Sequence, residues 1–517
     1  MCRCIAKGIL EIVRHKNYSI TGGFNLGSYE LSSPHRLSLC YGLIGLIAFF
    51  VCNFASGDAN AIEDSHEVED GQPNVILIMV DDLGYNDLSG FGHPEIQTPI
   101  LDQLARDGVR LTSFYSGASV CTPSRMALLT GCYPVRMGWK KGVIGYKMGL
   151  RDGLHPDAIT VAEVFQKSGY VTAMSGKWHL GSEPPCRPHR QGFDTAYYID
   201  KSNNQTQKIW RNDDVVEEKF VNRHLTEQFT EEAVKFIRKN RQQKFFLYLP
   251  YSAPHFPVQA HPDWKGTSSF GVYGDVVEEV DARIGQILAT LANEDIADNT
   301  IILFCSDNGP QPGQAASAHP FRGMKWSALE GGTRVPCIVR WSAQIPAGRS
   351  SEQVVTAMDL LPTLCDLAGI DLQANLKLLR PRSNAKKNAA SFPIDGRSVA
   401  DLFRGTSASL PERGILYWHG MGQPQAIRKG SWKLFFDREG TVAGLGIDAK
   451  LPVAQSKALK SLANSNGPVL FNLSDHPDEL SDCSAEKPDV VKQLSELAIR
   501  KLAETKEVMI PLWQPGP

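Results

Sequence analysis

The chain has 517 residues, 42% hydrophobic and 21% charged, with 54 Lys and Arg against 56 Asp and Glu. That length is enough for one large domain and a smaller one, and the composition is that of an ordinary globular protein. A net charge of −2 with no basic stripe gives no reason to expect nucleic acid as a partner.

The N-terminal region departs from the rest. Residues 37–51 (LSLCYGLIGLIAFFV) form an uncharged apolar run, preceded by His35, Arg36 and a basic leader and followed by the small residues Ala55, Gly57, Ala59 and Ala61. Basic, apolar, then small is the order of a secretory signal, which assigns residues 1–61 to a leader and signal peptide. The alternative is a retained membrane anchor through residues 37–54, since the run approaches spanning length. The expected location is exported: periplasm, exterior or a lysosome-like lumen. Seven of the eleven cysteines lie beyond this region: Cys121, Cys132, Cys186, Cys305, Cys337, Cys365 and Cys483. They form no C-x-x-C pair, so zinc is poorly supported, and an odd number leaves at least one outside any intramolecular disulfide.

From residue 71 onward, short apolar runs alternate with amphipathic helical patterns. The runs are 75–80, 171–174, 245–249 and 301–304; the helices are predicted at 98–106, 160–168, 225–241, 276–293 and 358–367. Phe229, Ala233, Phe236 and Ile237, for example, fall on one face of the third helix. Buried strands separated by helices predict an α/β domain over residues 71–370, with a mostly parallel sheet flanked by helices. Residues 371–410 read as a linker or long loop. Strand patterns at 414–418, 425–427, 432–436 and 469–472, then a helix at 490–502, predict a small C-terminal domain over 411–517 of antiparallel strands and a helix.

Each apolar run of the first domain ends in chemistry. The first leads into Asp81 and Asp82, the second into Gly176-Lys177-Trp178-His179, the third into a segment with His255, the fourth into Asp307-Asn308-Gly309. Open parallel sheets build their sites just beyond the carboxyl ends of the strands, so these residues are expected at one edge. One acid after a strand is weak evidence, because turns favour Asp; four such coincidences are strong. Asp81, Asp82, Asp307 and Asn308 are hard oxygen donors, and clustered carboxylates call for a cation such as Ca²⁺ or Mg²⁺. Lys177, His179, His255 and Lys325 offer positive charge and protons to an anionic substrate. In CTPSRMALLTG (121–131), Pro123 suits the first turn of a helix and Gly131 its end, placing Cys121 at a helix N-terminus with Arg125 one turn in.

The segment C-T-P-S-R followed by A-L-L-T-G resembles the signature of the sulfatase family, within the alkaline phosphatase superfamily, in its arylsulfatase and N-acetylgalactosamine-6-sulfatase-like branch. The resemblance extends through Asp81-Asp82, GKWHLG (176–181), the histidine of APH (His255), SDNG (306–309) and RGMK…EGGTRVP (322–336). It implies an alkaline-phosphatase-like fold and hydrolysis of sulfate esters of an aryl compound or carbohydrate. It further implies that Cys121 becomes 3-oxoalanine (Cα-formylglycine), made by a formylglycine-generating enzyme. One Ca²⁺ is implied, held by Asp81, Asp82, Asp307, Asn308 and the modified Cys121. Arg125 and Lys177 are expected to stabilise the hydrated nucleophile, His179 to orient or deprotonate its second hydroxyl, and His255 and Lys325 to bind sulfate and assist the leaving alcohol. Two rival readings are a phosphodiester or phosphonate monoester hydrolase of the same superfamily and an inactive binder of sulfated glycans. Trp418 and His419 are weaker candidates for the pocket wall, and Asn204 and Asn472 begin glycosylation sequons.

Overall fold

The protein's structure, a computed structural model, describes residues 71–379, 393–436, 467–505 and 510–515. The signal or anchor expected within residues 1–61 lies outside the described residues. Among those described, no helix is long and apolar enough to cross a membrane.

Four strands carry the architecture: β1 (Asn74–Val80), β2 (Val171–Lys177), β3 (Phe245–Pro250) and β4 (Thr300–Ser306). Every residue of β1, β3 and β4 is buried, which is why these strands are nearly continuous runs of Val, Ile, Leu and Phe. They run parallel in the spatial order β4-β1-β3-β2, and Thr195–Ile199 adds a fifth parallel strand beside β2. Val80 pairs with Ser306, and Met79 with Pro250, so the carboxyl ends of β1, β4 and β3 lie level. Six further pieces complete an eleven-stranded sheet, two of them, Arg349–Ser351 and Val355–Thr356, pairing parallel with Val109–Tyr115 and the others joined antiparallel. Arg334–Arg340 pairs with β4, then Val109–Tyr115 with Arg334–Arg340, while the Ile209–Arg211 and Asp214–Glu217 hairpin extends the other edge.

Alternate residues of β1 feed different cores. Val75, Leu77 and Met79 join a cluster with Met126 and Leu128 of helix α1 (Cys121–Thr130). Ile76, Ile78 and Val80 join one with Phe229 and Ile237 of α2 (Leu225–Lys239) and Ile284 of α3 (Val272–Asn293). Helices therefore cover both faces of a mostly parallel sheet, as the sequence predicts.

A separate four-stranded antiparallel sheet is built from Ile415–Trp418, Pro424–Lys429, Trp432–Phe435 and Val469–Asn472. The helix Pro488–Thr505 follows it and buries Leu494 and Ala498. Two short helices, Leu372–Leu378 and Ala400–Arg404, fall within the stretch read as a linker.

Buried charge ties the small sheet to the large one. Lys433 Nζ lies 2.9 Å from both Glu330 Oε1 and Glu479 Oε1, all three side chains being inaccessible to solvent. Glu330 also accepts a hydrogen bond from the Tyr115 hydroxyl and lies 3.7 Å from Arg428. Burial alone raises the Glu330 carboxyl, but Lys433 and Arg428 outweigh it and bring it down to about 2. A carboxyl lowered in the folded state contributes stability above its unfolded value of about 4.5, and loses that contribution as pH falls toward 2. Lys433→Met leaves two buried carboxylates without their shared cation, which costs about 3–5 kcal/mol. Urea denaturation should show that loss at neutral pH and a smaller one below pH 4.5. An unchanged midpoint at neutral pH would refute the buried charge as a tie.

Candidate active site

The strand ends meet at one edge and bring their polar residues together. Asp81 and Asp82 follow β1, Asp307 and Asn308 follow β4, Lys177 is the last residue of β2, and His255 follows β3. Cys121 opens α1 after Val120 in extended conformation, and the left-handed Gly131 (φ 68°) closes that helix. Three non-glycine residues take positive φ here, Asp82 (φ 65°), His179 (φ 57°) and Trp326 (φ 83°), which follows Lys325. Such conformations cost energy and cluster where a site needs a side chain aimed. Gly176 is required for packing: a Cβ there would fall 2.0 Å from the Pro250 carbonyl oxygen at the end of β3.

Three carboxylates and three cations interlock, all buried and only Lys325 retaining slight solvent access. Arg125 donates through Nε (3.1 Å) and Nη2 (2.8 Å) to Asp307 Oδ2, and through Nη1 to the Lys177 carbonyl at 2.8 Å. Lys177 Nζ donates to Asp81 Oδ2, and Lys325 Nζ to both Asp82 oxygens at 2.6 and 2.7 Å. Burial raises the Asp81 carboxyl, yet Lys177, His255, Arg125 and Lys325 together hold it well below the usual carboxylate range. Asp307 goes the other way: burial and the charge of Asp81 push it up to about 7, against the pull of Arg125.

Cys121 is almost inaccessible, and its Sγ–H donates to Asp81 Oδ1 at 3.3 Å, with Asp82 Oδ1 at 3.9 Å. Burial, then the negative charge of Asp81, pushes its thiol far above the usual range, so a thiolate is suppressed. His179 Nε2 donates to the Ile144 carbonyl at 3.1 Å, leaving a buried Nδ1 with no hydrogen-bond partner. Burial and Lys177 hold that ring neutral, well below the usual imidazole value. His255 Nδ1 donates to the Phe256 carbonyl at 2.6 Å, while Nε2 faces Asp82 Oδ2 at 3.7 Å. Burial lowers His255 to about 4.

The donor set fits a hard cation. Ligand atoms of Asp81, Asp82, Cys121 and His255 all lie within 4.8 Å of one another. Asn308 Nδ2 donates to Asp82 Oδ1 at 2.7 Å, whereas its buried Oδ1 has no hydrogen-bond partner. An unpaired carboxamide oxygen beside carboxylates is the type of donor that Ca²⁺ or Mg²⁺ takes.

The cluster floors a cleft of about 740 Å³ that Cys121, His179, His255 and Lys325 line. Its walls come from Tyr146, Gln205, Gln311, Gln314, Trp326 and His419. His419 thus reaches the cleft, whereas Trp418 is buried with its ring 4.9 Å from Tyr133. Of this wall the sequence singled out His419, with Trp326 lying in the recognised 322–336 segment; Tyr146, Gln205, Gln311 and Gln314 were not assigned to it. All seven cysteines of the described region are free thiols, and Cys132 donates to the Pro393 carbonyl at 2.8 Å in a packing role.

The family model for sulfatases matches residues 73–370. Dog N-acetylgalactosamine-6-sulfatase is 33% identical over 471 residues, covering 82% of this chain and 84% of that protein. Human arylsulfatase A is 32% identical over 468 residues, covering 83% and 87%. The solved structure of Ps i-CgsB in complex with k-i-k-neocarrahexaose superposes with a TM-score of 0.69 at 27% identity, covering 85% of this chain and 95% of that one.

Asp307→Ala removes one charged donor and leaves Arg125 with Asp81 alone. Calorimetric titration with Ca²⁺ should show affinity weakened by about tenfold or more, because carboxylate count sets affinity in oxygen sites. Binding equal to the unsubstituted protein would remove Asp307 from the ligand set.

Proposed function

The chain belongs to the sulfatase family and is a sulfuric ester hydrolase, and on that premise we propose how its cleft works and what it takes. The substrate is a sulfated saccharide, the nucleophile is Cα-formylglycine made from Cys121 by a formylglycine-generating enzyme, and the metal is Ca²⁺ held by Asp81, Asp82, Asp307 and Asn308. The observation that carries the reading is the placement of Cys121: a buried thiol pressed against two carboxylates is disabled as a thiolate, yet it stands at the centre of every charged group in the cleft. The saccharide assignment is supported by the curated and solved relatives, which include N-acetylgalactosamine-6-sulfatases and a structure with a bound neocarrahexaose. An exported or lumenal location is proposed with it.

Hydrated formylglycine supplies two hydroxyls on one carbon, one to attack sulfur and one to expel sulfate and restore the aldehyde. Bound Ca²⁺ supplies Lewis acidity and offsets the carboxylates. The chain's own residues do the rest. Arg125, fixed by Asp307 and the Lys177 carbonyl, holds positive charge beside position 121 and orients the nucleophile. Lys177 and Lys325 flank Asp81 and Asp82 and give the sulfate oxygens cationic partners. His179 offers the unpartnered lone pair of Nδ1 to a hydroxyl proton, and its neutral state keeps that lone pair free. His255 Nε2 faces the cleft and protonates the departing oxygen; an anionic sulfate beside it counters the burial that lowers the ring.

Two experiments test this reading. Peptide mass spectrometry of active protein should find formylglycine or its hydrate at position 121, and protein made without the converting enzyme should fold but be inactive. An active preparation carrying only unmodified cysteine would sink the mechanism. The second compares leaving groups. General acid assistance is worth about 10²–10⁴-fold, and it matters most for a poor leaving group. His255→Ala, with formylglycine and calcium retained, should therefore lose far more kcat on a sugar sulfate than on an activated aryl sulfate. Equal losses with chemistry rate-limiting would leave His255 as an electrostatic clamp only.

A further inference from the structure

A second set of metal-type donors lies outside the cleft. His224 precedes α2, Glu227 lies within its first turn, and His261 heads the short helical turn Pro262–Trp264. One ligand atom from each of the three falls within 4.8 Å of the other two. Glu227 Oε2 is 3.3 Å from His261 Nε2 and 3.5 Å from His224 Nδ1. Charge-assisted hydrogen bonds to a carboxylate run about 2.7–2.9 Å, so these separations are long for that. They match instead the distance between two ligands of one tetrahedral ion, about 3.3 Å when each metal–ligand bond is about 2.0–2.1 Å.

The surroundings fit a cation as well. Glu227 Oε1 accepts from Arg283 Nη2 at 3.0 Å, which leaves Oε2 to the histidines. Arg283 Nε lies 3.5 Å from Glu279 Oε1, and neither atom has a hydrogen-bond partner. The Glu227–Arg283 pair and the Glu279 carboxyl thus stand close to two imidazoles. His261 Nδ1 now accepts from the Asp263 backbone N–H at 3.3 Å, with the Asp263 carboxylate 3.6 Å away. Moving the ring proton to Nδ1 frees the Nε2 lone pair and gives that proton a carboxylate partner, the arrangement that orients metal-binding histidines. The side chains of His224 and Glu227 are 32% and 29% exposed, which lets water complete the coordination.

We propose that His224, Glu227 and His261 bind one divalent transition-metal ion of the zinc type. Two nitrogen donors and a carboxylate favour such an ion over calcium, so this site and the oxygen cluster at Asp81 select different metals. Its role follows from where it sits. Residues 251–261 run from the end of β3 through His255 to His261, and Asn222 Nδ2 already donates to the Pro257 carbonyl at 2.9 Å within that stretch. An ion at His261 fastens the far end of this segment to the start of α2, bracing the backbone that carries His255 without touching substrate.

The test uses the full-length protein stripped of transition metals and kept in excess Ca²⁺, so that the oxygen cluster does not compete. Zinc titrated against a chromophoric chelator should bind at one equivalent per chain and raise the thermal midpoint. Co²⁺ in its place should give the visible absorption bands of a tetrahedral site. His224→Ala and Glu227→Gln each remove a ligand from a partly exposed position and should weaken zinc by about 100-fold or more, the upper end of what losing even an outer partner costs. Asp263→Asn should weaken it by about tenfold. The midpoint rise should vanish in His224→Ala. No stoichiometric zinc binding, or equal binding by the unsubstituted protein and both ligand variants, overturns the proposal.

Discussion

Asp81, Asp82 and Asp307 stand side by side with no solvent contact, and the rest of the site is arranged to keep them there. Two unit charges about 4 Å apart repel by about 4 kcal/mol at an effective dielectric of 20, so three buried carboxylates do not persist unaided. The pairing of Val80 with Ser306 brings the acids following β1 and β4 to the same level. Their partners come from other elements: Arg125 from α1, Lys177 from β2, Lys325 from the loop beyond β4. No single element supplies a neutral set. The charge cluster is complete only when sheet, helix and loop are all in place, which couples the site's integrity to the fold of the whole large unit.

What was legible in the sequence follows from burial. Strands β1, β3 and β4 are covered on both faces, so each reads as an apolar run, and the residue after each run could be placed at the sheet edge. The apolar run of β2 stops at Met174, but the strand continues through Ser175, Gly176 and Lys177, polar or small residues buried by the site itself. Val109–Tyr115 went unread because Arg110, Thr112 and Ser113 interrupt its apolar residues, and the 209–217 hairpin because it is a charged edge. All ten proposed site residues come together at the strand ends: seven were placed there because position after a strand is a local signal, and Cys121, Arg125 and Lys325, on a helix and a loop, only through the motifs that carry them. Apart from His419 and Trp326, the cleft walls were not legible. Tyr146, Gln311 and Gln314 stand on loops with no periodicity, and only the folded chain sets them opposite Cys121. His224, Glu227 and His261 escaped for a similar reason, with 33 residues separating Glu227 from His261 until β3 returns the chain past α2.

The buried tie at Lys433 and the charge cluster at the strand ends solve the same problem in different ways. Around Lys433 the charges are paired in an interior closed to solvent, which fixes the small sheet against the large one, although Glu479 Oε1 meets Lys433 as an ion pair without a hydrogen bond. At the strand ends, matching is incomplete: Asn308 Oδ1 and His179 Nδ1 are buried with no hydrogen-bond partner, and the cluster opens onto a cleft. Unsatisfied polar atoms are costly in a sealed interior, and they are retained where a ligand or reacting group completes them.

That difference bears on the nucleophile. Burial and adjacent carboxylates disfavour any side chain that must carry negative charge before it reacts, which is the condition of a cysteine thiolate. The same surroundings tolerate a neutral hydroxyl, because its proton need leave only as the bond to sulfur forms or breaks. His179 fits that timing in the proposed mechanism: it is held neutral by burial and Lys177, it is anchored through Nε2 to the Ile144 carbonyl, its buried Nδ1 has no hydrogen-bond partner, and the residue lines the same cleft as Cys121. Replacing a thiol by two geminal hydroxyls at position 121 turns the electrostatics that disable a cysteine into an environment that keeps the nucleophile protonated until substrate arrives. The chemistry of the site and the modification proposed for it are therefore one requirement seen from two sides.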